Sequence, residues 1–247
     1  MDPVVIFLLG VVIFFVALLY SAVGHGGASS YLAAMALFGL APEAMKPAAL
    51  TLNILVASIS TVRYLRARRF CRALFWPLAL VSVPFAFMGG FFTLPAIYYK
   101  PLIGAVLIYA AAHLLMNARR AEYPVRVPMK PLLILCGAGL GFFSGLMGIG
   151  GGIFLSPLLI ALRWAPVQQV SGIAAAFILV NSSAGLMGFA ASGGGHFPDG
   201  LAWWALAAMS GSYVGSGYGS QRLAGPMIKR LLAVVLVLAG LKMFVTL

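Results

Sequence analysis

Acidic residues are nearly absent. Of 247 residues only Asp2, Glu43, Glu122 and Asp199 are acids, against 16 Lys and Arg, and charged residues of either sign make up 8% of the chain. A water-soluble domain carries roughly 25% charged residues, so this shortage, beside a hydrophobic share of 63%, excludes that class. The same figures exclude disorder, which needs a chain poor in apolar residues. The net charge of +12 is no argument for nucleic acid, because it arises from missing acids more than from abundant cations. No nucleic-acid partner is expected.

The four acids fall at the ends of apolar segments or in loops, so none remains at membrane depth to relay a proton or hold a sodium ion. An anionic substrate is favoured over a cation site. Histidine and cysteine are equally sparse. Cys71 and Cys136 show no CxxC or Cys/His spacing and read as buried small residues. Three scattered histidines supply no metal site, so no cofactor is expected. Gly215-Ser216-Gly217 with His196 is too weak a match to a nucleophile elbow to support an intramembrane enzyme. An anion channel stays open as the nearer alternative to a carrier.

What the chain does have is long apolar runs. Cut at charges, prolines and glycine clusters, it gives ten segments: 3–22, 28–41, 47–65, 72–93, 101–118, 131–147, 152–163, 167–191, 200–220 and 229–247. A helix needs about 20 apolar residues to cross a hydrocarbon core of roughly 30 Å. Eight segments reach spanning length, and the second and seventh are short and follow glycine-rich breaks. The expectation is an all-α polytopic membrane protein embedded in the lipid bilayer. The run to Tyr20 lacks a basic leader and a small-residue cleavage pattern, and reads as a membrane segment.

Cations set the orientation. Placing the loop of Arg63, Arg66, Arg68, Arg69 and Arg72 in the cytoplasm also puts Arg119, Arg120, Arg126, Lys130, Arg163, Arg222, Lys229 and Arg230 inside. Only Lys46, Lys100 and Lys242 fall outside. This positive-inside split predicts both termini on the periplasmic face of a bacterial inner membrane.

The chain also repeats itself. Gly24-His25-Gly26-Gly27 recurs as Gly148-Ile149-Gly150-Gly151, an offset of 124 that also pairs Pro42 with Pro166 and Ser58 with Ser182. The run from Lys100 to Leu114 then matches Lys229 to Met243, at an offset of 129. Five segments per half force the second half to enter the membrane from the opposite side, so the repeats are inverted: residues 1–118 and 131–247, joined by a cytoplasmic linker at 119–130. Inverted repeats are a recurring device of secondary transporters.

The two glycine clusters are the candidate site. Backbone without side chains leaves the helix, and the short helix that follows begins with unpaired N–H groups. Such a start concentrates roughly half an elementary positive charge. Two of them, approaching from opposite sides, converge on one small anion near the midplane. The candidate contacts are Gly24, His25, Gly26, Gly27, Gly148, Gly150, Gly151 and Gly152, with the neutral hydrogen-bonding groups of Ser29, Ser30, Asn53, Ser58, Asn181, Ser182 and Ser183 nearby. Ser144 precedes the second break. His25 either contacts the anion or senses its proton, or else is a helix-packing or interfacial histidine. His113 and Lys242 read as snorkelling residues and His196 as a solvent-exposed loop residue. Lys46 and Arg163, at equivalent ends of the short segments, either draw anions to the entrances or anchor lipid headgroups.

These residues resemble the TauE/SafE sulfite-exporter family, also called the toluene-sulfonate uptake permease family. The resemblance covers nearly the whole chain and is closest at Gly148-Ile149-Gly150-Gly151-Gly152 followed by Ile-Phe-Leu-Ser-Pro157. The first copy departs from it, with His25 inside the glycine run and Ala33 where the second has Pro157. The resemblance implies a bacterial inner-membrane transporter of small sulfur-containing anions such as sulfite or organosulfonates. It leaves the particular anion, the direction of transport and any homo-oligomer open.

Overall fold

The computed structural model describes residues 2–92, 104–105, 108–109, 111–112, 115, 124–194, 197–223 and 225–245. Its elements are α1 (Pro3–Ser21), α2 (Ala28–Leu37), α3 (Pro42–Arg66), α4 (Arg72–Phe91), α5 (Lys130–Met147), α6 (Gly152–Ala161), α7 (Val167–Ala191), α8 (Leu201–Arg222) and α9 (Gly225–Val245). No strand occurs among the described residues. Lipid offers no hydrogen bonds, so an apolar chain of this composition satisfies its backbone within helices.

Among the described residues five helices, α1, α3, α4, α5 and α7, are long and apolar enough to cross a membrane. α8 has 22 residues and is diluted by Ser and Gly, and α9 has 21. α2 and α6 have 10 residues each, about 15 Å at the helical rise, half a hydrocarbon core. Large apolar side chains such as Phe15, Leu80, Leu135, Met187 and Leu206 are exposed around the bundle, where lipid tails solvate them. The chain is an all-helical membrane protein.

Several boundaries differ from those read off the sequence. α3 begins at Pro42, not at 47, and Pro47 sits inside it. A proline there removes one ladder bond without ending the helix, and Thr51 Oγ1 donates to the Pro47 carbonyl at 2.8 Å. α2 and α6 stop at Leu37 and Ala161, each closed by a polar or positive-φ turn at Gly39 or Arg163. The segment expected at 101–118 lies largely outside the described residues, as do Arg119, Arg120, Glu122, His196 and the side chains of His113, Lys229 and Lys242. Of the linker, 124–129 is non-helical, and Arg126 N donates to the Arg163 carbonyl at 2.8 Å.

At the centre α3 and α7 cross antiparallel. Tyr64 and Arg69 lie beside Gly172, Asn53 beside Ser182, and Leu50 beside Gly185. Two close seams flank the pair. In one, α1 runs parallel to α8, with the carbonyls of Phe14, Leu18 and Ala22 against Gly211, Gly215 and Gly219. In the other, α4 runs parallel to α5, with the carbonyls of Leu78, Ser82 and Ala86 against Gly137, Gly141 and Gly145. Glycine every fourth residue lets the backbones touch, the packing that replaces hydrophobic driving force inside a membrane.

These directions sort the charges. Arg63, Arg66, Arg68, Arg69, Arg72, Lys130 and Arg222 gather at one end of the bundle. Asp2, Glu43 and Asp199, at the starts of α1, α3 and α8, lie at or near the other end.

Candidate functional site

The two glycine runs break their helices in the same way. After α1, His25 N reaches back to the Tyr20 carbonyl at 2.9 Å; after α5, Ile149 N reaches back to the Ser144 carbonyl at 3.3 Å. Both are the wide closing bond of a helix end that turns left-handed. Gly24 (φ 77°) and Gly148 (φ 70°) make that turn, and Gly27 (φ 95°) and Gly151 (φ 74°) open α2 and α6. At Gly24 the need for glycine is double. The backbone is left-handed, and a Cβ would run into the Ser171 carbonyl of α7.

Asn53, at the middle of α3 and fully buried, ties the breaks together. Its Oδ1 accepts from Ala28 N at 3.1 Å, which satisfies one of the open N–H groups at the start of α2. Its Nδ2 donates to the Ile149 carbonyl at 3.0 Å, inside the second break, and to Ser182 Oγ at 3.4 Å on α7. One amide of α3 thus contacts the start of α2, the second break and α7. Gly150 fits into the same cluster: a Cβ there would come within 2.6 Å of Ser182 Oγ and 2.8 Å of Asn53 Nδ2.

His25 lies in the first break, 2% exposed. Its Nδ1 pairs with the Val23 carbonyl at 3.1 Å, and its ring also faces the Gly152 backbone at the start of α6. Nε2 is buried with no hydrogen-bond partner. Ser144 Oγ, beside Gly151, is also buried and unpartnered. A buried polar atom left without a partner costs about 1–3 kcal/mol, so such atoms mark where a ligand or water is owed.

The remaining residues divide. Gly26 packs on Asn53 and Ile178, and Gly152 on Ile178. Ser29 is buried at the head of α2, and Ser30 Oγ donates to Tyr20 Oη at 2.7 Å. Ser58 and Ser183 instead bond carbonyls of their own helices, Ile54 at 2.7 Å and Leu179 at 2.9 Å. Asn181 Nδ2 does likewise with Phe177 at 2.8 Å, leaving Oδ1 buried without a partner. Lys46 is spent on structure: Nζ donates to the Gly90 and Phe92 carbonyls at 3.2 and 3.3 Å, capping the end of α4.

Sequence reasoning missed the tyrosines. Tyr64 Oη donates to the Ala22 carbonyl at 2.7 Å and pins the entry to the first break, and Tyr20 does the same from α1 through Ser30. Tyr20 carries a sequence signal in its place four residues before Gly24. Tyr64, one residue after Arg63, reads as interfacial and gives none.

Two half-length helices, each following a glycine break and tied to one another through a buried amide in an apolar helical bundle, define a membrane protein with discontinuous helices. Residues 9–243 match the family model described as sulfite exporter TauE/SafE. The chain belongs to that family of membrane transporters. It is 36% identical over 239 residues to a probable membrane transporter protein of Sinorhizobium fredii, covering 95% of this chain and 96% of that one. It is 30% identical over 194 residues to a probable membrane transporter protein of Methanocaldococcus jannaschii, covering 74% and 71%. No solved structure matches.

Proposed function

We propose that the protein is a secondary transporter of small sulfur-containing anions, sulfite or an organosulfonate, which binds where α2 and α6 begin. The observation that carries this reading is the pairing of the two breaks through Asn53, beside the unpartnered Nε2 of His25. Backbone N–H groups at two helix starts, with a neutral amide, hydroxyls and an imidazole, suit an oxyanion. Among the described residues no carboxylate, which would repel one, joins the cluster.

The reading includes two inverted repeats, residues 1–118 and 131–247, with 119–130 as their link, and alternating access through movement of one half against the other. It is supported by matched helix lengths, 19, 10, 25 and 20 residues in α1 to α4 against 18, 10, 25 and 22 in α5 to α8. Exchanging the halves also turns the α4–α5 seam into the α8–α1 seam. The reading keeps five membrane segments in each half, eight of spanning length and two short ones, α2 and α6, each of which carries the chain back to the side that α1 or α5 left. The arginine-rich end is assigned to the cytoplasm of a bacterial cell, with both termini periplasmic.

Flux into proteoliposomes tests the proposal, with a panel of sulfite, sulfate, thiosulfate and organosulfonates at two pH values. Saturable, counterflow-stimulated uptake of at least one sulfur oxyanion is expected. Flux of none of them overturns the reading, and single-channel current would replace the carrier with a pore.

A further inference from the structure

A cleft of about 570 Å³ opens between α3 and α8 at the arginine-rich end, away from the junction of the breaks. Ser58, Ile59, Val62, Arg63 and Arg66 line it from α3, and Tyr213, Ser220 and Gln221 from α8. We propose that this cleft is a binding site for an anionic phospholipid, whose headgroup phosphate is held by Arg63 and Arg66.

Charge is the first argument. Among the described residues neither guanidinium has a carboxylate partner, and the described acids sit at helix starts toward the other end. Half-buried Arg63 is already fixed in place. Its guanidinium carbon lies 3.8 Å from the centre of the Tyr213 ring, and Gly217 leaves room for it against α8. Stacking occupies the flat face and leaves in-plane N–H donors for a phosphate, the geometry arginine matches best. Exposed Arg66 stands one helical turn further toward the end of α3.

Size and lining select the occupant. The volume lies in the roughly 300–1,000 Å³ range of sites for sizeable organic ligands, far more than a four- or five-atom oxyanion fills. The walls deeper in the membrane are apolar, Ile59, Val62 and the ring of Tyr213, with Val62 47% and Tyr213 63% exposed on the outside of the bundle. An acyl chain lies along them while Gln221 and Ser220 face the headgroup. Basic pockets between helices at the cytoplasmic leaflet are where anionic headgroups bind. The proposal does not depend on which anion is transported.

Native mass spectrometry of the full-length protein, exchanged into mixed phosphatidylglycerol and phosphatidylcholine, tests it. Retained phosphatidylglycerol is expected on the wild type. Arg66→Gln, an exposed change that leaves the fold intact, weakens retention about fivefold, and Arg63→Gln with Arg66→Gln about 10- to 30-fold. The same double change to Lys keeps part of it. Arg72→Gln with Arg222→Gln, which removes equal charge outside the cleft, leaves retention unchanged. Equal loss in this control pair, or full retention in the cleft variants, overturns the proposal. So does displacement of the lipid by inorganic phosphate that itself binds in pure phosphatidylcholine nanodiscs, which makes the cleft a free-anion site.

Discussion

Asn53 Nδ2 donates to the carbonyl of Ile149 at 3.0 Å, joining the middle of α3 to a break 96 positions away in sequence. Because Oδ1 of the same amide holds Ala28 N, movement at one break is felt at the other through a single side chain. Replacing Asn53 by Leu, of similar size, strands a buried N–H and a buried carbonyl. Each costs about 1–3 kcal/mol. A marked drop in the thermal midpoint is expected, with sulfur-oxyanion flux down at least tenfold; Asn53→Gln recovers part of the stability.

Gly24 and Gly39 separate backbone strain from crowding. Their φ angles are alike, 77° and 75°, but a Cβ at Gly24 meets the Ser171 carbonyl and one at Gly39 meets nothing within 4 Å. Gly39→Ala is expected to cost only the left-handed penalty of about 1–2 kcal/mol. Gly24→Ala displaces α7 as well and yields little folded protein. Fluorescence-detected gel filtration after heating compares them directly.

The α4–α5 seam gives a second contrast. Gly141→Ala drives a Cβ into the Ser82 carbonyl, while Gly139, on the same helix, has open space around it. Gly139→Ala is expected to stabilise by up to about 1 kcal/mol through helix propensity, and Gly141→Ala to destabilise. Equal effects in thermal unfolding would remove the seam from the account.

His25 is read as a ligand through its unpartnered Nε2. His25→Ala is expected to raise the half-saturating sulfite concentration by about 10-fold or more, the scale of one charge-assisted hydrogen bond of about 1.5–3 kcal/mol. Its thermal midpoint should move less than that of Asn53→Leu, since the His25 ring pairs closely with one protein group, the Val23 carbonyl, where the Asn53 amide joins two breaks. Unchanged uptake and unchanged pH dependence would leave His25 as packing only.

Much of the fold was legible because membrane helices announce themselves by length and the breaks by glycine. α5, α6 and α7 begin within one residue of the expected positions. The site was legible only in outline. Helices that are apolar all round carry no stripe to show which way a polar residue points. Asn53 turned to the breaks while Asn181, Ser58 and Ser183 turned back on their own helices, and only packing decides between them. Lys46 read as an entrance charge because sequence does not reveal that the carbonyls of Gly90 and Phe92 come within its reach.

The central claim is that the anion sits where the two broken helices meet. Initial rates of labelled sulfite uptake into proteoliposomes, against concentration, test it most directly in the wild type, Asn53→Gln, His25→Ala and the Arg72→Gln, Arg222→Gln pair. The account predicts saturable uptake, with half-saturation raised about 10-fold or more by the two junction changes and left alone by the pair. Wild-type half-saturation in both junction variants, with uptake intact, would contradict it.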